Sequence, residues 1–440
     1  MKVKHRRMGA ALILLSFFYL ACGEASAAPD KYYYDRCRSV FDEESEAKAE
    51  ANKAGPDPLV MAVFGDSVMW GQGLKERDKF WCRAKQWVEL KTGRRVEFKV
   101  YAHAGAIIEE DSLAKEDHEL ALRIGEQGGE VNVSFPTINR QVEDAVTDFT
   151  KKRLGVDLVL VDGCINDVNF RNLLNAEKTK AEIESLTRSR CGKPMERLLT
   201  RIASNFPSAY IFVTGYYPII YQGLTDVEDG KKKHVVKGSA NNQLTRVALK
   251  KLGGEGVAPP HCKDDPRICL DLLSNTWYET SNGVIREAVE TVNRDLGGAR
   301  IHFAEMYFPP EYGFSTKQSM LWNIRFGATN VGGLRKWVAV GLDLFRVIDT
   351  NDDRWDERGR QCRATARAFD DQLKALVKAG DVSITQRKKD LKSRLKYFEF
   401  ICRRGSLGHP NRFGAALYAQ TLIGKLEQIV PKTGWVAANP

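Results

Sequence analysis

Leu59-Val60-Met61-Ala62-Val63-Phe64 runs directly into Gly65-Asp66-Ser67-Val68-Met69-Trp70-Gly71-Gln72-Gly73. Six consecutive apolar residues without polar alternation suit a strand covered on both faces, as in a parallel sheet layered between helices. The glycines that follow can end the strand in a sharp turn. A serine just beyond such a strand sits at the carboxyl edge of the sheet, where open α/β sheets bind their ligands.

Four other stretches read as buried strands: 96–101, 156–161, 209–214 and 300–304. Between them, helical spacing predicts helices over 78–92, 138–152 and 282–296. In the last, Val284, Ile285, Ala288, Val292 and Leu296 recur near helical spacing, and Gly297-Gly298 can end the helix. Strand and helix in alternation predict an α/β fold, a three-layer α/β/α arrangement with a five-stranded parallel sheet. Two stretches interrupt the alternation. Residues 221–281 carry Gly, Lys and Pro clusters with a short helical pattern at 243–252. Residues 307–404 predict helices at 334–348 and 363–379 and a basic helix from Thr385. Structureless loops of that length are rare in compact domains. Both are therefore expected to be structured insertions in a single domain over 28–440, either enlarging that domain or forming a cap on its core.

Gly-Asp-Ser alone arises easily by chance, but GDSxxxGxG at a strand end is more specific. Three further blocks follow in order. Gly105 lies in Ala102-His103-Ala104-Gly105-Ala106, after the second strand. Asn166 lies in Gly163-Cys164-Ile165-Asn166-Asp167, after the third. His409 lies in Gly408-His409-Pro410-Asn411, near the C terminus. Together these blocks resemble the GDSL/SGNH hydrolase family over roughly 57–220, 282–306 and 405–430. The resemblance implies a serine esterase or lipase with Ser67 as nucleophile and His409 as general base, since a hydroxyl attacks poorly until a base takes its proton. It implies an oxyanion hole built from the backbone N–H groups of Ser67 and Gly105 and the side-chain amide of Asn166, with no metal and no cofactor. Gly105 is expected to be glycine because substrate approaches its backbone closely. Asp66 and Asp167 are expected to hold loop geometry, and His103 to be a strand-end histidine.

The family pattern places an aspartate three residues before the histidine, and here that position is Ser406. The ring of His409 would then be oriented by a backbone carbonyl or by the Ser406 hydroxyl, or a carboxylate from an insertion would replace the acid, or the site would be catalytically dead. The enzyme reading is an ester hydrolase acting on acyl or acetyl esters of lipid or glycan through an acyl-serine intermediate. The alternative is a decayed core that binds glycan or lipid, and Ser406 is the feature in its favour. Fold and motif do not choose among ester substrates.

The chain has 440 residues and a formal net charge of +10. Lys2, Lys4, Arg6 and Arg7 precede an apolar run to Ala21 and the small residues Ala25-Ser26-Ala27, which reads as a cleaved signal peptide over 1–27. The run is shorter than a membrane-spanning helix requires. Its removal lowers the charge to about +7, a surplus that suits peripheral contact with an anionic surface, and no nucleic-acid motif accompanies it. The predicted location is secreted or periplasmic, with lipidation at Cys22 as the less favoured route. The remaining cysteines form an even set, and exported chains oxidise such sets to disulfides. Sequential pairing is expected: Cys37–Cys82, Cys164–Cys191, Cys262–Cys269 and Cys362–Cys402. No C-x-x-C knuckle supports zinc, and His118, His234, His261 and His302 lack ligand spacing. Residues 349–353 begin like a calcium loop, but Arg354 and Arg360 stand where that loop needs glycine and glutamate. The basic stretch from Arg387 to Lys396 and the apolar stripe Leu334, Trp337, Val338, Leu342 and Phe345 are read as helix faces packed on the core.

Overall fold

The first strand, β1 (Leu59–Phe64), is buried at every position, as its unbroken apolar run requires. In this computed structural model the described residues are 57–109, 128–175, 177–220, 266–309, 352–380 and 398–435, with Cys37, 226–229, 232–235, 348–350, 392, 395 and parts of 312–326. The chain divides into two units, Met1–Arg38 and Ser39–Pro440, and the fold is that of the second. The remaining strands in chain order are β2 (Val96–Val100), β3 (Leu158–Val161), β4 (Tyr210–Thr214), β5 (Asp226–Asp229), β6 (Lys232–Val235), β7 (Ile301–Ala304), β8 (Ile324–Phe326) and β9 (Ile348–Thr350). Five of them form one sheet in the order β2-β1-β3-β4-β7, and every pairing is parallel. The protein is thus an α/β fold with a five-stranded parallel sheet flanked by helices. β5–β6 and β8–β9 are separate antiparallel pairs within the two inserted stretches. The strand order reverses between β1 and β3. Chains leaving adjacent strands there part to opposite sides, which opens a crevice at the carboxyl ends.

The principal helices are α1 (Phe80–Thr92), α2 (Ile138–Lys152), α3 (Lys193–Asn205), α4 (Pro266–Asp295), α5 (Trp355–Lys378) and α6 (Arg412–Ile429). α2 has the bounds its sequence predicts. Thr137 caps it by accepting from the Arg140 N–H, and Ile138, Val142, Ala145 and Phe149 form its buried face. Each large apolar side chain so buried contributes roughly 1.5–3 kcal/mol. α4 and α5 both begin earlier than expected. Asn282 resembles a helix N-cap by type, yet it lies within α4. Its side chain instead accepts from the Tyr216 N–H at 3.0 Å and donates to the Tyr216 carbonyl at 2.9 Å. Residues 266–281, including fully buried Trp277, therefore continue a helix of the main fold.

Two expected disulfides are present, Cys164–Cys191 and Cys362–Cys402, and Cys37 and Cys82 are each disulfide-bonded. No described helix is long and apolar enough to cross a membrane. The signal segment, the Cys262 and Cys269 side chains, the helical patterns at 243–252 and 334–347, the apolar stripe and most of the basic stretch lie outside the described residues.

Candidate active site

Ser67 opens a single helical turn, Ser67–Trp70, directly beyond β1. The turn is held from below. Gly65, at φ +147°, places its N–H on Gln141 Oε1 at 2.8 Å and its carbonyl against Gln141 Nε2 at 3.0 Å. A Cβ on Gly65 would overlap the Asp162 carboxylate, so only glycine fits. Asp66 caps the turn by accepting from the Val68 N–H at 2.8 Å and from the Tyr216 hydroxyl at 2.5 Å. Burial pushes the Asp66 carboxyl up to about 6, opposed by the hydrogen bonds from Tyr216 and Val68. These contacts make Asp66 a structural cap of the serine turn.

The second and third loops lock onto the first and onto each other. The His103 N–H donates to the Gly65 carbonyl at 3.0 Å. The Asn166 amide donates to the Ala106 carbonyl at 2.9 Å, and Asp167 accepts from the Ile108 N–H at 3.0 Å. Asn166 follows Gly163 and Cys164, both at positive φ, and the Cys164–Cys191 disulfide ties this unusual backbone to a neighbouring helical segment. A primary amide has two N–H groups. One is on Ala106, and among the described residues the other has no acceptor.

Gly105 lies at φ +86°, and a Cβ there would strike the Val133 backbone within 3.0 Å. The residue is thus glycine because the 128–136 segment packs over it, a physical reason different from the substrate approach expected above. Among the described residues, neither the Ser67 nor the Gly105 backbone N–H has an intramolecular acceptor of good geometry.

His409 comes from the far end of the chain. Its loop pairs with 320–322 through Trp322 N–H to the His409 carbonyl at 2.8 Å and Gly408 N–H to the Trp322 carbonyl at 3.1 Å. The Tyr217 hydroxyl donates to the Gly408 carbonyl at 2.8 Å. The half-buried ring then places Nε2 2.7 Å from Ser67 Oγ. This distance suits transfer of the hydroxyl proton. Among the described residues, Nδ1 makes no hydrogen bond to any carboxylate. Burial, and then the Arg358 cation, hold the imidazole down to about 4, while the Ser406 and Leu407 main chain favours its protonated form.

The fully buried Ser406 hydroxyl turns away from that ring. It donates to Asp352 Oδ2 at 2.7 Å and accepts from Arg358 Nη2 at 3.1 Å. Arg358 also pairs with Asp352 and, at 2.9 Å, with Glu130. Sequence reasoning missed Glu130 and Arg358 altogether. It met Asp352 only inside a calcium-loop pattern; Asp352 in fact pairs with Arg358, and Asp353 with Arg412. Among the described residues no group of His, Cys, Asp or Glu is arranged to hold a metal ion.

A serine and a histidine in contact at the crevice of a parallel α/β sheet define an arrangement able to perform nucleophilic acyl transfer. No protein-family model matches the chain, and no curated protein matches it. Among solved structures it is similar to an extracellular lipase from Streptomyces rimosus, at 14% identity and TM-score 0.32, over 60% of this chain and 87% of that one. It is similar to phospholipase A1 from Streptomyces albidoflavus, at 13% and 0.31, over 62% and 91%. It is also similar to a family two carbohydrate esterase from Clostridium thermocellum, solved with cellohexaose, at 12% and 0.28, over 60% of each chain. At such low identity and overlap the likeness does not reach the substrates of those proteins.

The lowered basicity of His409 has a kinetic consequence. If His409 serves as a general base it works in its neutral form, so activity would be lost as pH falls through the folded-state value. The acid limb of kcat/KM is expected near pH 4, well below the ordinary histidine value of 6.5. A pH–rate profile of the wild-type protein checks this. A limb at 6.5 or above would mean that the ring is not shielded as the structure has it.

Proposed function

We propose that this chain is an exported serine ester hydrolase of the SGNH type, acting through an acyl-serine intermediate. The observation that carries the reading is the 2.7 Å contact between His409 Nε2 and Ser67 Oγ at the sheet's carboxyl edge. In the proposed reaction His409 takes the Ser67 proton as Oγ attacks the ester carbonyl. The imidazolium then protonates the leaving alkoxide. A water, deprotonated by the same ring, releases the acid product. Negative charge on the carbonyl oxygen is met by the Ser67 and Gly105 N–H groups and by the free N–H of Asn166. Donors fixed in advance stabilise developing charge without reorganising. The substrate class is an acyl or acetyl ester of a lipid or glycan. Export is supported by the basic-apolar leader and by the oxidised cysteines, since disulfides persist outside the reducing cytosol. The stretch 307–404 serves the site directly in this reading, through Asp352 and Arg358.

A fluorophosphonate probe tests the proposal. It is expected to label Ser67 in the folded protein, with mass mapping placing the adduct on that residue, and Ser67→Ala is expected to abolish labelling. Labelling of another serine, or none in folded wild type, would favour the decayed binding module instead.

A further inference from the structure

Among the described residues, a buried arginine and two buried acids lie together beside the site. Arg358 is fully buried and stands between the carboxylates of Glu130 and Asp352, whose side chains are also closed to solvent. Burying an arginine between two acids costs much desolvation energy and is weak evidence for stability alone. The partners around it show what the cluster joins.

On one side is the loop that follows Ser67. Glu130 accepts from Trp70 Nε1 at 3.0 Å and from the Gly73 N–H at 3.3 Å. Gln72 Nε2 donates to the Glu130 carbonyl at 2.9 Å. On the other side is the loop that carries His409. Arg358 Nε donates to the Arg403 carbonyl at 3.1 Å and Nη2 to Ser406 Oγ, while Ser406 Oγ donates to Asp352. The Ser406 carbonyl in turn accepts from the His409 N–H at 2.9 Å. The loops meet at Gly73, φ +87°, where a Cβ would press on the Cβ atoms of both Asp352 and Ser406 at 3.0 Å. The Cys362–Cys402 disulfide fastens α5, the helix bearing Arg358, to the start of the same histidine loop.

We infer that Glu130, Arg358 and Asp352 form a buried charge lock that positions His409 against Ser67, acting through the Ser406 side chain in place of an acid on the ring. The inference rests on the ester-hydrolase reading above. These are positioning residues: none touches the reacting atoms. Asp352 and Arg358 hold the Ser406 side chain, which fixes the main chain whose carbonyl accepts from the His409 N–H. Glu130 holds the serine loop to the same guanidinium. Loosening any corner should shift the ring relative to Oγ, and a misplacement of about 1 Å can cost roughly 10²-fold in rate. The lock also makes the position three residues before the histidine unsuited to an acid. A carboxylate in place of Ser406 would face Asp352 in a closed space.

The test uses purified wild-type protein and the single variants Ser406→Ala, Ser406→Asp, Asp352→Asn and Arg358→Lys, each confirmed folded by its melting transition. Fluorophosphonate titration counts active Ser67, and kcat and KM on a short-chain aryl ester are measured across pH. Ser406→Ala, the mildest change, should lower kcat by roughly ten- to a hundredfold, since the hydroxyl's bonds to the Asp352 carboxylate and the Arg358 cation are charge-assisted. Asp352→Asn should lower kcat by up to about 10²-fold with KM nearly unchanged. It should also shift the acid limb downward, because the Arg358 cation is then less balanced. Arg358→Lys keeps the charge and loses the fork. It should lower kcat while leaving the limb in place. Ser406→Asp should be worse than Ser406→Ala. A merely structural role would lower the melting temperature and leave kcat per titrated site and the limb untouched, and that result overturns the inference. So does a Ser406→Asp variant more active than wild type. If wild type itself fails to label at Ser67, the hydrolase reading falls first and the lock falls with it.

Discussion

His409→Ala is expected to lower kcat on a short-chain aryl ester by roughly 10⁴-fold or more, with a smaller change in KM. Where a serine, a base and an acid act as a unit, removing the base alone costs on the order of 10⁶ and removing the acid alone on the order of 10⁴. The gap between those figures makes the experiment informative here. Among the described residues, no carboxylate bonds His409 Nδ1. If nothing else held the ring, the wild type would already carry the acid's penalty, and the histidine would add only about 10² to catalysis. If the Trp322 pairing, the Tyr217 hydroxyl and the Ser406–Asp352 contact hold the ring as the structure has it, the histidine retains most of its value. Matched kcat values for the wild type and the variant decide between the two. A loss below about 10² would show the base to be loosely held, and an unchanged kcat would remove His409 from the chemistry.

Much of this arrangement is legible in the sequence because it is local. The Leu59–Phe64 run, the glycines after it and the Gly163–Asp167 turn each occupy a few adjacent residues, and apolar period with glycine placement reports them directly. The parallel sheet follows because strands alternating with helices favour parallel connections. The histidine is legible by resemblance, but what holds it is not. Glu130 lies 228 residues from Arg358, and Asp352 lies 54 from Ser406. No periodicity links residues so far apart, and each looks like an ordinary surface charge. The earlier start of α4 is hidden for a related reason, since what Asn282 binds, the Tyr216 main chain, lies 66 residues away. Gly105 was recognised correctly as a position needing glycine, yet the neighbour that demands it, Val133, comes from another segment.

Asn166→Ala is expected to lower kcat by about 10²–10³ with little change in KM, the loss of one oxyanion donor being worth about 2.7–4 kcal/mol. The amide is anchored before any substrate arrives. One N–H is spent on the Ala106 carbonyl, and Asp167 ties the same turn to the Ile108 N–H. The free N–H therefore needs no reorientation as charge develops, and its contribution belongs to the transition state. That is why kcat rather than KM should carry the effect. The substitution also removes the bond to Ala106, a loss of about 0.5–1.5 kcal/mol of stability that a melting curve measures separately. Asn166→Asp sharpens the result, since it keeps the shape and exchanges a donor for a charged acceptor. It should fall below the alanine variant in kcat, because a carboxylate repels the oxyanion that the amide would hold. An Asn166→Asp variant as active as wild type, or an alanine variant changed mainly in KM, would place the developing charge elsewhere in the crevice.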